Sequence, residues 1–239
     1  LTMTDTNVDA NGYKWDSWNY SSTKTLSVTS NGVHTWYVKD LAWNEWSCAT
    51  WVTKIDKTTP STWTIKINNN DAYTKSATVT LTLSATDAWV WMTNWKMRFS
   101  CNNSTWSAWE TYGTSKSWTF NTSNGCTAAD GTKTVYVQYQ DALWNGTTTA
   151  SDTIVLDKTK PTCTIAQNPA AWTQTSGNVT LTATVTETNK DKYSWTWWSN
   201  MVTTQTTFVT WANWTRTFYM QDKAWNTWSC SITVSNIDK

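Results

Sequence analysis

The chain has 239 residues, more than the roughly 100–200 of a single domain, so two or more compact units are expected. Its 18 Lys+Arg stand against 17 Asp+Glu with no segment concentrating one sign, which argues against an electrostatic nucleic-acid binder. No run reaches the roughly 20 apolar residues of a membrane helix, the segment 1–5 lacks the basic and apolar regions of a signal peptide, and a single histidine, His34, rules out a multi-histidine metal site.

One imbalance stands out in the composition. The chain carries 22 Trp and 7 Gly, whereas average usage predicts about 17 glycines at this length.

From the first residue onward, the chain repeats itself. In the first repeat Trp36 and Val38 share one face of a strand that runs into Asp40-Leu41-Ala42-Trp43-Asn44, a hairpin turn leading to a last strand. Asp56-Lys57 follows Asp40 by sixteen residues and opens Asp-Lys-Thr-x-Pro, with Pro60. In the second repeat Ala77, Val79, Leu81, Leu83 and Ala85 face one way, while Ser76, Thr78, Thr80, Thr82 and Ser84 face the other. Strands are expected over 62–67, 76–86, 95–101, 106–111, 115–120, 132–140 and 146–155, with Val135, Val137 and Tyr139 preceding the turn Asp141-Ala142-Leu143-Trp144-Asn145. Asp157-Lys158 and Pro161 mark the next junction. The third repeat alternates Val179, Leu181, Ala183 and Val185, then runs through Phe218 and Met220 into Asp222-Lys223-Ala224-Trp225-Asn226 and on to Asp238-Lys239. The domain limits follow: 1–55, 56–156, 157–237, and the start of a further repeat at 238–239. Leu1 aligns with Leu181, so about 24 residues of the first domain are expected to be missing.

These features resemble one known family. The Asp-Lys-Thr-x-Pro junctions, the Asp-x-Ala-x-Asn turn, and Met97-Arg98-Phe99-Ser100 followed by Ser104-Thr105-Trp106-Ser107-Ala108-Trp109-Glu110 are similar to bacterial Ig-like repeat domains over essentially the whole chain. The resemblance implies an all-β fold of tandem immunoglobulin-like β-sandwiches, of the kind strung together in large secreted or surface-attached proteins, adhesins among them. Function does not transfer with such a fold.

The chain departs from the family at glycine. The family's turn reads Asp-x-Ala-Gly-Asn, and Trp43, Trp144 and Trp225 occupy the glycine slot; Trp46, Trp63, Trp89, Trp91 and Trp228 are read in the same way. Glycine serves tight turns because it reaches positive φ without a Cβ clash. Some bacterial lineages read UGA as glycine, and translation of such a gene with a code that reads UGA as tryptophan gives this pattern. Trp106, Trp109 and Trp118 stand where the family has aromatics and are kept as tryptophan.

The cysteines pair by repeat. Cys163 begins the first strand and Cys230 the last strand of one domain, and the family's sandwich sets those two strands side by side, which implies a Cys163–Cys230 bridge. Counted in the same way, the second repeat has Thr62 and Thr149 at these positions, so both cysteines are absent together. Cys101 and Cys126 fall at the opposite pole and form the second expected bridge, and Cys48 matches Cys230. Paired cysteines point to an oxidising, extracellular or cell-surface setting.

Calcium is the candidate cofactor: Asp56, Asp87 and Asp141, and in the next repeat Asp157, Glu187, Asp191 and Asp222, offer hard oxygen ligands near the junctions. The competing account is that Asp and Asn bond their own backbone in turns, which by itself explains the Asp-x-x-x-Asn pattern. If its letters hold, Trp195, Trp197, Trp198, Trp211 and Trp214 form an aromatic platform for sugar rings. The expected function is a non-catalytic stalk or spacer of an exported surface protein that supports adhesion. Its partners are neighbouring repeats and a host or surface glycan or protein ligand, with no nucleic acid and no membrane span. The alternative is a carbohydrate-binding accessory region of a secreted hydrolase.

Overall fold

A computed structural model describes residues 7–16, 18–87, 94–146 and 149–239. The chain is all-β and built of tandem Ig-like β-sandwiches, and it divides into two compact units, Leu1–Thr58 and Thr59–Lys239.

The first unit holds one antiparallel sheet, in the order β1 (Val8–Trp15), β2 (Gly32–Asp40), β3 (Glu45–Val52). Period-two alternation on β2 turns Trp36 and Val38 inward, and both are buried with Tyr13. The register of β1 slips between Val8 and Tyr13. A Cβ at Gly12 would lie 2.6 Å from the Lys39 carbonyl oxygen, so this irregular stretch requires glycine.

The second unit contains two sandwiches. Strands β4 (Ser61–Ile67), β6 (Thr78–Thr86) and β9 (Ser115–Thr119) form one sheet in the order β4-β6-β9. The other is β5-β11-β10-β7-β8, made from β5 (Tyr73–Thr74), β7 (Lys96–Ser100), β8 (Glu110–Thr111), β10 (Gly131–Gln140) and β11 (Thr149–Leu156). Alternation again fills the core. Val79, Leu81, Leu83 and Ala85 of β6 are buried with Val135, Val137 and Tyr139 of β10, while the intervening threonines of β6 face water.

The next sandwich repeats this with β12 (Thr162–Asn168), β13 (Val179–Thr186) and β15 (Thr207–Thr210) in one sheet, and β14 (Lys190–Ser194), β16 (Thr215–Asp222) and β17 (Thr227–Thr233) in the other. Its separate core gathers Val179, Leu181, Ala183, Tyr193, Phe218 and Met220.

In both sandwiches the opening stretch serves the two sheets. β4 pairs antiparallel with β6, and the chain then crosses over so that β5 runs parallel to β11. Likewise β12 pairs with β13, and Thr175 then bridges Ile237 in parallel. This crossing binds the two edges of each sandwich together.

Two strand expectations need revision. The strand expected over 106–111 shrinks to Glu110–Thr111, because the Asn102 side chain gathers the N–H groups of Ser104 and Thr105 into a loop. The two-residue β5 escaped the sequence, being too short to show a period.

Candidate functional site

The three Asp-x-x-Trp-Asn turns share one geometry. Asp40 Oδ1 accepts the backbone N–H groups of Ala42 and Asn44, each at 2.8 Å, and its Oδ2 accepts the Asn44 side-chain amide at 2.8 Å. Asp141 takes the same three bonds from Leu143 and Asn145, and Asp222 takes them from Ala224 and Asn226. Each carboxylate thus ties together its own hairpin.

Environment separates them electrostatically. The Asn44 amide holds the Asp40 carboxyl below its ordinary range. Burial pushes Asp222 up instead, with the nearby Asp157 charge adding to the effect against the Asn226 bonds.

Within each turn the tryptophan N–H donates to the aspartate carbonyl, at 3.1 Å for Trp43, 3.3 Å for Trp144 and 3.1 Å for Trp225. That closure places the three residues at φ 69°, 69° and 66°, in the left-handed region, with indoles 78%, 76% and 65% exposed. A bulky residue there is strained; at Trp43 the Lys39 ammonium lies 3.8 Å from the ring centre. The other tryptophans read as glycine positions differ. Trp46 and Trp228 lie within strands β3 and β17, half exposed, and Trp63 lies within β4 against the core. Trp89 and Trp91 lie outside the described residues.

The aromatic platform is corrected at one position: Trp195 is 4% exposed and packs on Phe208 and Phe218, because it continues the inward phase of Tyr193. Trp197, Trp198, Trp211 and Trp214 are exposed. Trp106 and Trp109 hold the Arg98 guanidinium, whose carbon lies 5.0 and 4.6 Å from their ring centres, and Trp118 is buried against Phe99.

Two disulfides are present, Cys101–Cys126 and Cys163–Cys230, with Cα atoms 4.9 and 6.1 Å apart. The first joins the end of β7 to the stretch before β10; the second joins the edge strands β12 and β17 of opposite sheets. The strand register revises the equivalence between repeats. Cys230 pairs with Phe218, and in the preceding sandwich the residue paired with the matching Val137 is Ala150, one beyond Thr149, so counting from the turn slips by one residue. Cys48 is exposed and unbridged.

The junction between the two sandwiches of the second unit is pinned from both sides. Asp130 Oδ1 accepts the Lys158 N–H at 3.1 Å and its Oδ2 accepts the Thr159 hydroxyl at 2.6 Å, while Lys158 Nζ bonds the Ala128 carbonyl. From the other side the Asn226 amide donates to the Asp157 carbonyl at 2.8 Å and Asn189 Nδ2 donates to Asp157 Oδ2 at 2.7 Å. Lys75 Nζ reaches the Trp225 carbonyl at 3.1 Å. The Thr159 hydroxyl keeps the Asp130 carboxyl below its usual range. An open groove of about 720 Å³ runs along this junction, lined by Asp130, Asp157, Thr159, Lys160, Glu187 and Lys190 among others, with both charge signs mixed.

Several of the residues considered for calcium are engaged locally. Asp56 accepts the Thr58 N–H at 2.8 Å, and Glu187 Oε1 accepts the N–H groups of Thr188 and Asn189. Asp87, at the end of β6, brings its carboxylate within 4.8 Å of that of Asp141. Asp157 and Asp222 are buried in the bonds described above, and Asp191 is half-buried on β14.

Comparison with known proteins adds little beyond the fold. No family model matches the chain, and no curated protein sequence matches it. Solved structures similar to it include fibronectin(III)-like modules of CbhA from Clostridium thermocellum, at 10% identity and TM-score 0.42 over 72% of this chain and 94% of that one. A tetra-tandem repeat from the extending region of a large adhesion protein aligns at 18% identity and TM-score 0.30, over 87% and 57% of the two chains. The mouse nectin-like molecule 4 ectodomain aligns at 11% identity and TM-score 0.35, over 96% and 82%. The Ig-like character therefore rests on the strand order and register given above.

Proposed function

We propose that the chain is a non-catalytic spacer, a stiff run of Ig-like repeats in an exported, surface-attached protein that holds an adhesive part away from its anchor. The observation that carries this reading is the junction at Asp157–Lys160, where a four-residue linker is hydrogen-bonded by Asp130 on one side and by Asn189 and Asn226 on the other. Domains joined by short polar linkers move freely by default, and these bonds oppose that motion. Pro161 adds a fixed φ at the start of the next sandwich. The two disulfides support an extracellular setting. The repeat boundaries are proposed at 55/56, 156/157 and 237/238.

The natural residues at positions 43, 144 and 225 are proposed to be glycine, encoded by UGA in a lineage that reads it so. Three equivalent exposed tryptophans at positive φ support this reading, and peptide mass spectrometry on the source protein tests it. The alternative, carbohydrate binding by Trp197, Trp198, Trp211 and Trp214, draws on their exposure; glycan binding that disappears in Trp197→Gly and Trp198→Gly variants would establish it.

The spacer reading is tested by exchange in the source organism. Replacing the segment by an unrelated tandem sandwich of equal length should preserve surface attachment, whereas loss of attachment would show that this surface itself binds the ligand.

A further inference from the structure

Tension along the chain takes a different path through each sandwich of the second unit. In the first it enters at β4, and the chain crosses between sheets before β5 lies parallel to β11. There the Val155 N–H donates to the Ala72 carbonyl at 3.0 Å and the Asp157 N–H to the Thr74 carbonyl at 2.9 Å. Because the two strands are parallel, pulling the sandwich by its outer ends slides β5 along β11 and loads both bonds at once. The Cys101–Cys126 bridge joins β7 to the stretch before β10, away from the pulled ends. Opening this sandwich therefore frees about 250 Å of chain, with only the 25-residue separation between these cysteines withheld.

The next sandwich has equivalent parallel bonds, from the Thr175 N–H to the Asn236 carbonyl at 2.9 Å and from the Asp238 N–H to the Thr175 carbonyl at 2.8 Å. Its load takes a shorter route. Cys163 is the second residue of β12 and Cys230 the fourth of β17, and their bond passes tension straight across, bypassing the 67-residue separation between them. Val179, Leu181, Tyr193, Phe218 and Met220 of the core all lie inside the bypassed stretch. Outside it are only the stretches from Asp157 to Cys163 and from Cys230 to Asp238, which together span about 50 Å when fully extended.

We infer that the two sandwiches respond unequally to tension. The one built from β4 to β11 is the extensible element, and the one built from β12 to β17 is a covalently locked link whose core carries no load while Cys163–Cys230 is closed. Overload thus lengthens the chain through one sandwich about five times as far as through the other. The tension itself rests on the spacer reading, but the lock is tested on purified protein. Loss of attachment in the exchange experiment overturns the spacer and leaves the lock standing.

The test stretches the whole oxidised protein in a single-molecule force probe. The step of the β4–β11 sandwich is recognised because it lengthens by about 90 Å when Cys101→Ser is combined with Cys126→Ser. Steps of the first unit respond to neither pair of cysteine substitutions. The β12–β17 sandwich should yield at most about 50 Å. A small dithiol added at constant load then cuts its bridge: one thiolate attacks a bridge sulfur, the second closes the reagent's own disulfide, and Cys163 and Cys230 are left as thiols. A further step of about 230 Å should follow. Cys163→Ser combined with Cys230→Ser should show that step without dithiol, and if this variant does not fold, the dithiol arm on the unaltered protein decides alone. A long step from the β12–β17 sandwich while oxidised, no step of about 230 Å on adding dithiol, or no step that responds to loss of Cys101–Cys126 would overturn the inference.

Discussion

The backbone N–H of Trp225 donates to the carbonyl of Asp222 at 3.1 Å, and the turn it closes holds Trp225 at φ 66°. The same pair recurs as Trp43 with Asp40 and Trp144 with Asp141. An L-residue held there costs roughly 1–2 kcal/mol that glycine avoids.

Trp43→Gly, Trp144→Gly and Trp225→Gly should therefore each stabilise their hairpin by about 1 kcal/mol. Trp197→Gly, at φ −153°, should give no such gain, and Trp95→Gly, which empties a fully buried site, should cost about 3–5 kcal/mol. Chemical denaturation of the purified variants checks all three directions.

Acid should act oppositely on two equivalent aspartates. The folded-state pKa of Asp40 lies below its unfolded value, so its contribution is present above about pH 4 and is lost as pH falls through the folded value. The folded-state pKa of Asp222 is raised by burial, so its ionisation opposes folding at neutral pH, and that opposition vanishes as pH falls below the unfolded value. Asp40→Asn should thus be more damaging at pH 7 than at pH 3, and Asp222→Asn more damaging at pH 3 than at pH 7. Hydrogen exchange of β2–β3 and β16–β17 peptides reads the two separately.

Cutting the junction should loosen it without unfolding the sandwiches. Asp130→Ala removes the acceptors of the Lys158 N–H and the Thr159 hydroxyl, so distances between spin labels on β9 and β15 should broaden while the melting temperature changes by only about 1–2 °C. An unchanged distance distribution would show that these bonds do not stiffen the linker.

The fold was legible where alternation was clean: β6, β10 and β13 bury the residues that period two assigns inward. The Asp-x-x-Trp-Asn hairpins were legible because the repeats hold them at constant spacing, and the two disulfides because strand order brings Cys163 beside Cys230 and strand direction puts Cys101 and Cys126 at one pole. Trp195 was misread because a run of tryptophans hides which one continues the strand's inward phase. Thr149 was misread for Ala150 because counting from a turn ignores its extra residue. The junction at Asp157-Lys158 was legible but the bonds that pin it were not: Asp130 and Asn189 lie far in sequence from Lys158 and Asp157, and only folding brings them together.

The spacer account is tested most directly by pulling the second unit, 59–239, end to end with a single-molecule force probe, first oxidised and then reduced. It predicts two discrete unfolding events above the entropic baseline. On reduction they should lengthen by about 230 Å and about 90 Å, the chain enclosed by the Cys163–Cys230 and Cys101–Cys126 bridges at separations of 67 and 25 residues. Gradual extension without discrete events, or lengths unchanged by reduction, would contradict it.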